Sequence, residues 1–103
     1  MRIVDREEEL GIIGVMEVKT LERQCKALAN ERRLLILKEL KRRHTASVGA
    51  LAKVIHISLK ATSKHLAILK AADILESRKR GLTVFYRLSL DQHAPVSQVL
   101  ALL

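Results

Sequence analysis

The chain has 103 residues, a length that suits one domain with a single core. Its 49% hydrophobic and 2% aromatic residues predict a core of Leu, Ile, Val and Ala, the composition of a helical domain. A net charge of +8 favours polyanionic partners, with nucleic acid first and acidic membrane second. One cysteine excludes an intrachain disulfide and a cysteine-based zinc finger. No apolar run is long enough to span a bilayer and no signal peptide is recognisable, so we expect a cytoplasmic protein with no membrane partner.

The charge is unevenly distributed along the chain. Residues 1–18 carry two arginines against five carboxylates, whereas residues 19–90 carry seventeen basic and five acidic side chains. The remaining segment has Asp91 as its one charged side chain. Both ends are therefore neutral to acidic, and we expect an anionic partner to contact the middle of the chain.

Two helices are predicted in the first half. In "TLERQCKALAN", Leu21, Cys25 and Leu28 recur at helical spacing and predict a helix whose apolar side includes the cysteine. We interpret Cys25 as a small core residue, with redox sensing through an intersubunit disulfide as the alternative. Asn30 is predicted to cap the next helix, "ERRLLILKELKRR".

Residues 47–72 predict two further helices joined by a short turn, with Ser47 and Ser58 as their N-caps. The second, "SLKATSKHLAILK", contains no acidic residue and has two sides on a helical wheel. Its inward side is predicted to hold Leu59, Thr62, Leu66 and Leu69, continued by a packed, hydrogen-bonded His65. Its outward side holds Lys60, Ser63, Lys64, Ala67 and Lys70. Small residues allow close approach, and lysine and serine bind phosphate oxygens and base edges. The outward side is therefore predicted to face a DNA groove, with a solvated lysine face as the alternative.

Residues 74–89 change to strand character. "TVFYRLS" is β-branched and aromatic, and "RKRGL" predicts a turn in which Gly81 takes a positive φ. These residues predict a two-stranded hairpin with Arg78, Lys79 and Arg80 at its tip. The whole is mainly α with a small β-hairpin, and the order of its elements describes a winged helix-turn-helix of the α+β class.

Three stretches resemble the ArsR-type family of bacterial and archaeal winged-helix transcriptional regulators over about residues 21–90. They are "KALANERRLLIL", "SVGALAKVIHISLKATSKHLAILKAADIL" and "RKRGLTVFYRLS". The resemblance implies a homodimer that binds double-stranded DNA at an inverted-repeat operator and represses transcription. By position it implies DNA contacts from Ser58, Lys60, Ser63 and Lys64 on the recognition helix and from Arg78, Lys79 and Arg80 on the wing. Asp73 stands where the family usually has a glycine, at a position that requires a left-handed conformation.

The metal sites of this family are at most half present in the sequence. Many relatives bind metal through a Cys-x-Cys-type motif at the start of the first helix of the helix-turn-helix, where this chain has "TASVGAL". A second family site lies in the C-terminal helix, and Asp91 and His93 match only its first half. No cofactor is therefore predicted, and Asp91 as a helix cap is favoured over Asp91 and His93 as metal ligands.

We predict a single winged-helix DNA-binding domain over residues 1–103, with residues 1–20 and 91–103 as dimerisation segments. The second segment offers Val96, Val99, Leu100 and Leu103 for packing across a two-fold axis. Lys70 and the three basic wing residues are predicted to contact phosphates, and Lys60, Ser63 and Lys64 to supply most of the sequence preference.

Catalysis is not predicted, because the sequence lacks a phosphate-binding glycine loop, a metalloprotease motif, a nucleophile elbow and clustered carboxylates. Two alternatives to a sequence-specific regulator stay open. One is a winged-helix protein-docking module, and the other is a sequence-neutral architectural DNA-binding protein.

Overall fold

A computed structural model describes residues 17–103 of the chain. Within this range the chain forms five helices and three short strands. In chain order they are α1 (Val18–Leu28), α2 (Glu31–Arg43), β1 (Ala46–Ser47), α3 (Val48–Ile55), α4 (Leu59–Ala71), β2 (Leu75–Arg80), β3 (Thr83–Leu88) and α5 (Val96–Leu102). Most of the predicted N-terminal dimerisation segment lies outside the described residues.

Side-chain oxygens fix the starts of three helices. The Ser47 and Ser58 hydroxyls each accept a hydrogen bond from the backbone N–H three residues further on, at 3.2 and 3.0 Å. The Asn30 carboxamide oxygen does the same at 3.1 Å. Each bond satisfies an N–H that has no partner inside the first helical turn. The three predicted N-caps are confirmed.

The end of α4 turns the chain towards the sheet at Asp73. This residue adopts a φ of 60°, and its N–H donates to the Lys70 carbonyl at 3.0 Å. The next N–H, of Ile74, reaches back to the Leu69 carbonyl at 3.0 Å. Both bonds satisfy carbonyls of the last helical turn, which is the usual role of a left-handed residue after a helix. The left-handed conformation predicted for Asp73 is confirmed.

The core lies between the helices and one face of the sheet. The fully buried side chains include Ile36, Leu37, Leu40, Leu51, Leu66, Leu69, Ile74 and Val96. Thr62 is buried with them. Its hydroxyl donates to the Ser58 carbonyl at 2.8 Å, and this bond satisfies the buried polar group. The predicted inward side of α4 is confirmed except at Leu59, which is 57% exposed. Leu59 is the first residue of the helix, and its side chain lies outside the hydrophobic core.

The prediction that Cys25 is a core residue is wrong, because its side chain is exposed. Helix α1 instead buries Gln24, Ala27 and Leu28, which lie on a neighbouring side of the helix. The Gln24 side-chain amide donates to the Ala72 carbonyl at the end of α4, at 3.0 Å. A polar contact therefore helps to orient this helix, and an apolar pattern does not show such a contact.

Two predictions for the C-terminal segment are also wrong, namely that Val96 packs across the two-fold axis and that Asp91 caps the helix, whereas the role of residues 91–103 in a dimer stays a prediction. Val96 is fully buried in the core of its own chain, so it is unavailable to a partner; Val99, Leu100 and Leu103 also pack, partly buried, against that core. Asp91 does not cap α5, whose N-cap residue is Pro95, without a side-chain hydrogen bond.

The sheet has β3 at its centre, with β1 and β2 antiparallel on either side. Strand β1 was not predicted, because two residues carry no periodic pattern. The predicted hairpin is present, but Arg80 pairs with Thr83, so Gly81 and Leu82 alone form the turn. Gly81 has the predicted positive φ, 61°. The three basic residues lie within β2 and not in the turn, which differs from the sequence-based prediction.

Helices α3 and α4 with the hairpin form a winged helix-turn-helix, as the sequence predicted. Helices α1, α2 and α5 pack around them. Over residues 17–103, no helix is long and apolar enough to cross a membrane.

Candidate nucleic-acid interface

The exposed side of α4 carries the residues that the sequence singled out. Lys60, Ser63 and Lys64 are all exposed and lie in the first two turns of the helix, at spacings of three and four residues. Such spacing places them on one helical face. Between Ser58 and Lys70 the sequence has no carboxylate, and the N-terminal end of a helix adds positive potential. This surface suits phosphate oxygens and the acceptor groups of base edges.

Ser58 has a structural task as well as a predicted DNA contact. Its hydroxyl oxygen accepts the cap hydrogen bond from the Ala61 N–H, and the residue is exposed at the start of α4. A hydroxyl that accepts one bond still has its own hydrogen to donate. Ser58 can therefore donate to a phosphate oxygen while it caps the helix.

Lys70 connects the far end of α4 to the wing. Its ammonium donates to the Ser77 hydroxyl of β2 at 2.7 Å. An ammonium has three donors, so this bond leaves others for phosphate. The sequence placed Lys70 on the outward side of the helix, but it gave no sign of this bond. The bond adds a polar contact between the wing and the recognition helix to their shared apolar core.

The basic wing residues lie on two different faces of the sheet. Side chains alternate along a strand, so Lys79 shares the face of Ser77, which contacts α4. Arg78 and Arg80 lie on the opposite face, where Arg78 is directly across from Phe85. Lys79 is therefore on the same side of the wing as the recognition helix, whereas the two arginines are on its outer side.

The wing's single carboxylate is neutralised by an ion pair that sequence reasoning missed. Both Nε and Nη2 of Arg87 donate to one carboxylate oxygen of Glu76, at 3.0 and 2.9 Å. These bonds lower the pKa of Glu76, and the charges of Arg87 and Arg78 act in the same direction. The two residues face each other across β2 and β3. The wing therefore keeps its positive charge despite this acid.

His65 joins α4 to the helices behind it. Its Nδ1 lies 3.3 Å from Nη1 of Arg33, whose Nε donates to the Ala27 carbonyl at 2.6 Å. Burial lowers the pKa of His65, and the charges of Arg33 and Arg32 lower it further. The prediction of a packed, hydrogen-bonded histidine is confirmed.

The two weak metal candidates do not assemble into a site. Asp91 and His93 are both exposed in the loop between β3 and α5. Across the part of the chain that the structure describes, no three His, Cys, Asp or Glu side chains come together as metal ligands.

The fold and this basic surface define a winged helix-turn-helix protein, and comparisons with known proteins identify the family. Residues 30–77 match the bacterial regulatory proteins of the arsR family. Over 64 residues the chain is 47% identical to the transcriptional activator HlyU of Vibrio cholerae serotype O1. Over 65 residues it is 42% identical to the nodulation protein NolR of Rhizobium meliloti. These alignments cover 62% and 63% of this chain, and 58% and 52% of the two relatives. The chain thus spans little more than half the length of the curated relatives that it matches.

Solved structures agree over most of the chain. HlyU from Vibrio cholerae N16961 has a TM-score of 0.70 at 38% identity, with coverage of 84% of this chain and 92% of HlyU. The homodimeric winged helix-turn-helix DNA-binding domain of Mb0332 from Mycobacterium bovis has a TM-score of 0.69 at 31% identity, with coverage of 86% and 83%. The chain belongs to the ArsR family. This is a family of regulatory proteins and not of enzymes, as the sequence predicted.

Proposed function

We propose that the protein is a sequence-specific, DNA-binding transcriptional regulator that acts as a homodimer on an inverted-repeat operator. The observation that carries this proposal is the exposed, acid-free side of α4. Lys60, Ser63 and Lys64 lie in its N-terminal half, and it is the N-terminal residues of a recognition helix that contact base edges in the major groove. These three residues then supply the sequence preference.

Phosphate contacts are proposed for the residues around this face. Ser58 and Lys70 lie at the two ends of α4, and Lys79 lies on the adjacent face of the wing. Arg78 and Arg80 extend the positive surface to the outer side of the wing. These contacts supply affinity and salt dependence and little sequence information.

The proposed dimer uses the exposed apolar side of α1 together with the end of α5. Val18 is 80% exposed and Leu21 40%, and Cys25 continues their side of the helix. Helix α1 packs beside α5, where Leu102 is 85% exposed. Apolar side chains grouped in this way favour burial against a second copy. The relative Mb0332 is described as homodimeric, which supports the proposal.

For the direction of regulation we propose repression. We also propose that the protein acts in the cytoplasm, where the DNA lies. The relative HlyU is named a transcriptional activator, so the direction needs its own test. A promoter carrying the operator upstream of a reporter gene should be less active when the protein is expressed. An increase in reporter activity would contradict repression and leave DNA binding intact.

The first experiment is selection from a random duplex library by the purified protein, at about 0.15 M salt, followed by sequencing. We expect enrichment of an inverted repeat whose half-sites are about 34 Å, one helical turn, apart. Salt-sensitive binding without enrichment would favour the architectural alternative. An absence of binding to any duplex would favour the protein-docking alternative.

A further inference from the structure

A second concave surface lies away from the recognition helix. It is a cavity of about 660 Å³ between α2, the end of α3 and the last residue of the chain. Cavities of roughly 300–1,000 Å³ are the usual size of small-molecule sites. No residue of the proposed DNA surface lines it.

The floor of the cavity is apolar. It is formed by Leu35 of α2, Val54 and Ile55 of α3, and Leu103. Leu35 is 40% exposed and Val54 44%, although Ile55 beside them is buried in the core. Adjacent exposed aliphatic side chains in a concave surface favour a ligand with an apolar part.

The rim of the cavity is cationic. Lys38, Lys41 and Arg42 lie there with one acidic side chain, Glu39. Arg42 pairs with Glu39 and lowers its pKa, so that carboxylate is already neutralised. Lys41 donates to the Leu100 carbonyl at 2.8 Å, which holds its ammonium beside the end of α5. The side chains that line the cavity carry three positive charges and one negative charge, which favours an anionic head group.

We propose that this cavity binds a small anionic amphiphile of the fatty-carboxylate class. The alkyl chain lies on Leu35, Val54 and Leu103, and the carboxylate pairs with Lys38 and Lys41. A neutral lipid offers no negative charge to the ammonium groups of Lys38 and Lys41, and a polyanion such as DNA has no part that matches the aliphatic floor. The proposal does not depend on the proposed DNA binding, because it concerns a different surface.

Binding is tested with the purified 103-residue chain and a dansyl-labelled undecanoate, whose fluorescence rises in an apolar site. We expect dodecanoate to displace this probe at micromolar concentration and dodecanol to displace it at least about tenfold more weakly. Failure of dodecanoate to displace the probe, or equal displacement by dodecanol, would overturn the proposal.

Two test variants and one control variant locate the site. Val54→Asp places a carboxylate on the floor and should weaken dodecanoate binding by about tenfold or more. Ile68→Asp is the matched control, because Ile68 is also 44% exposed and lies outside the cavity on α4. Lys38→Gln, at an exposed position, should weaken dodecanoate binding and leave dodecanol binding unchanged.

The other occupant to be distinguished is a second copy of the chain. Light scattering of Val54→Asp and of the unmodified protein separates the two cases. An unchanged mass with weakened dodecanoate binding supports the ligand site. A change from dimer to monomer would show that this surface is a subunit interface, and the proposal would be wrong.

Discussion

The exposed side of α4 and the exposed side of α1 are both helix surfaces without a partner among the described residues, yet they differ in chemistry. The first presents Lys60, Ser63 and Lys64, whereas the second presents Val18 and Leu21. Charged and hydroxyl side chains are well solvated by water, so the α4 surface is stable when it is uncovered. Clustered aliphatic side chains gain free energy when they are buried, so the α1 surface favours permanent cover.

This difference separates two kinds of partner. The α4 surface suits a partner that binds and dissociates with salt concentration, as a polyanion does. The α1 surface suits an apolar partner that stays, as a second subunit does. Both surfaces are exposed, and the difference in their charge favours a different kind of partner for each.

The largest expected effect comes from placing a charge on the α1 surface. Leu21→Glu should convert the proposed dimer to a monomer, because a carboxylate would have to be buried in an apolar interface. Loss of the second recognition helix should then weaken binding to an inverted repeat by about a hundredfold or more. Light scattering and a DNA titration measure the two effects.

Leu82→Glu is the control for oligomeric state, because Leu82 is 99% exposed at the turn of the wing. It should leave the mass unchanged. A Leu21→Glu chain that is still dimeric at about 10 μM would exclude Leu21 from the interface and break the comparison of the two surfaces.

The next effect concerns base recognition on α4. Lys64→Ala should relax the preference at one base pair in each half-site, at a cost of about 1–3 kcal/mol on the selected operator. Binding to a random duplex should change much less. Lys19→Ala, which removes an exposed lysine from α1, is the matched control and should leave the preference intact. Equal losses on operator and random duplexes would place Lys64 among the phosphate contacts.

A smaller effect separates the two faces of the wing. Lys79→Ala should weaken all duplexes alike and reduce the salt slope by about one ion, because it removes one phosphate contact. Arg78→Ala should have a smaller effect, because Arg78 lies on the outer face beside Phe85. The salt dependence of DNA affinity for both variants provides the measurement. A larger effect at Arg78 would show that the outer face of the wing contacts the DNA.

Features that depend on neighbours in the chain were predictable from the sequence. The caps at Asn30, Ser47 and Ser58 and the positive φ at Asp73 and Gly81 all follow from local backbone chemistry. Features that depend on which side of an element is covered were less predictable. The pattern of α1 suggested that Cys25 is buried, but the contact from Gln24 to the end of α4 selects another side.

The candidate DNA surface shows the same division. The outward residues of α4 follow from the helical period alone, and the structure leaves Lys60, Ser63 and Lys64 exposed. The two-residue period of a strand would have separated Lys79 from Arg78, but the predicted turn placed both at the tip. The bond from Lys70 to Ser77 depends on how the chain turns at Asp73 between α4 and β2, and neither the helical nor the strand period indicates such a contact.

The smallest expected effect concerns protein stability and the contact between His65 of α4 and Arg33. Arg33 donates to carbonyl oxygens near the end of α1 and lies 3.3 Å from His65 of α4, whose pKa burial lowers below its ordinary value of 6.5. The unfolded chain therefore binds a proton at this imidazole more readily than the folded chain does. The free energy of unfolding should rise with pH through the region below 6.5 and become independent of this group above it.

Urea denaturation at several pH values between about 5.5 and 8 measures this dependence. His65→Gln should flatten the fall in stability at acidic pH, because it removes the group that takes up the proton on unfolding. His93→Gln removes an exposed imidazole from the loop before α5 and should leave the fall unchanged. If His65→Gln retained the full pH dependence, the neutral state of this histidine would make no contribution to the free energy of unfolding. The bond from the Gln24 amide to the Ala72 carbonyl would then hold α1 against the end of α4 without a contribution from His65.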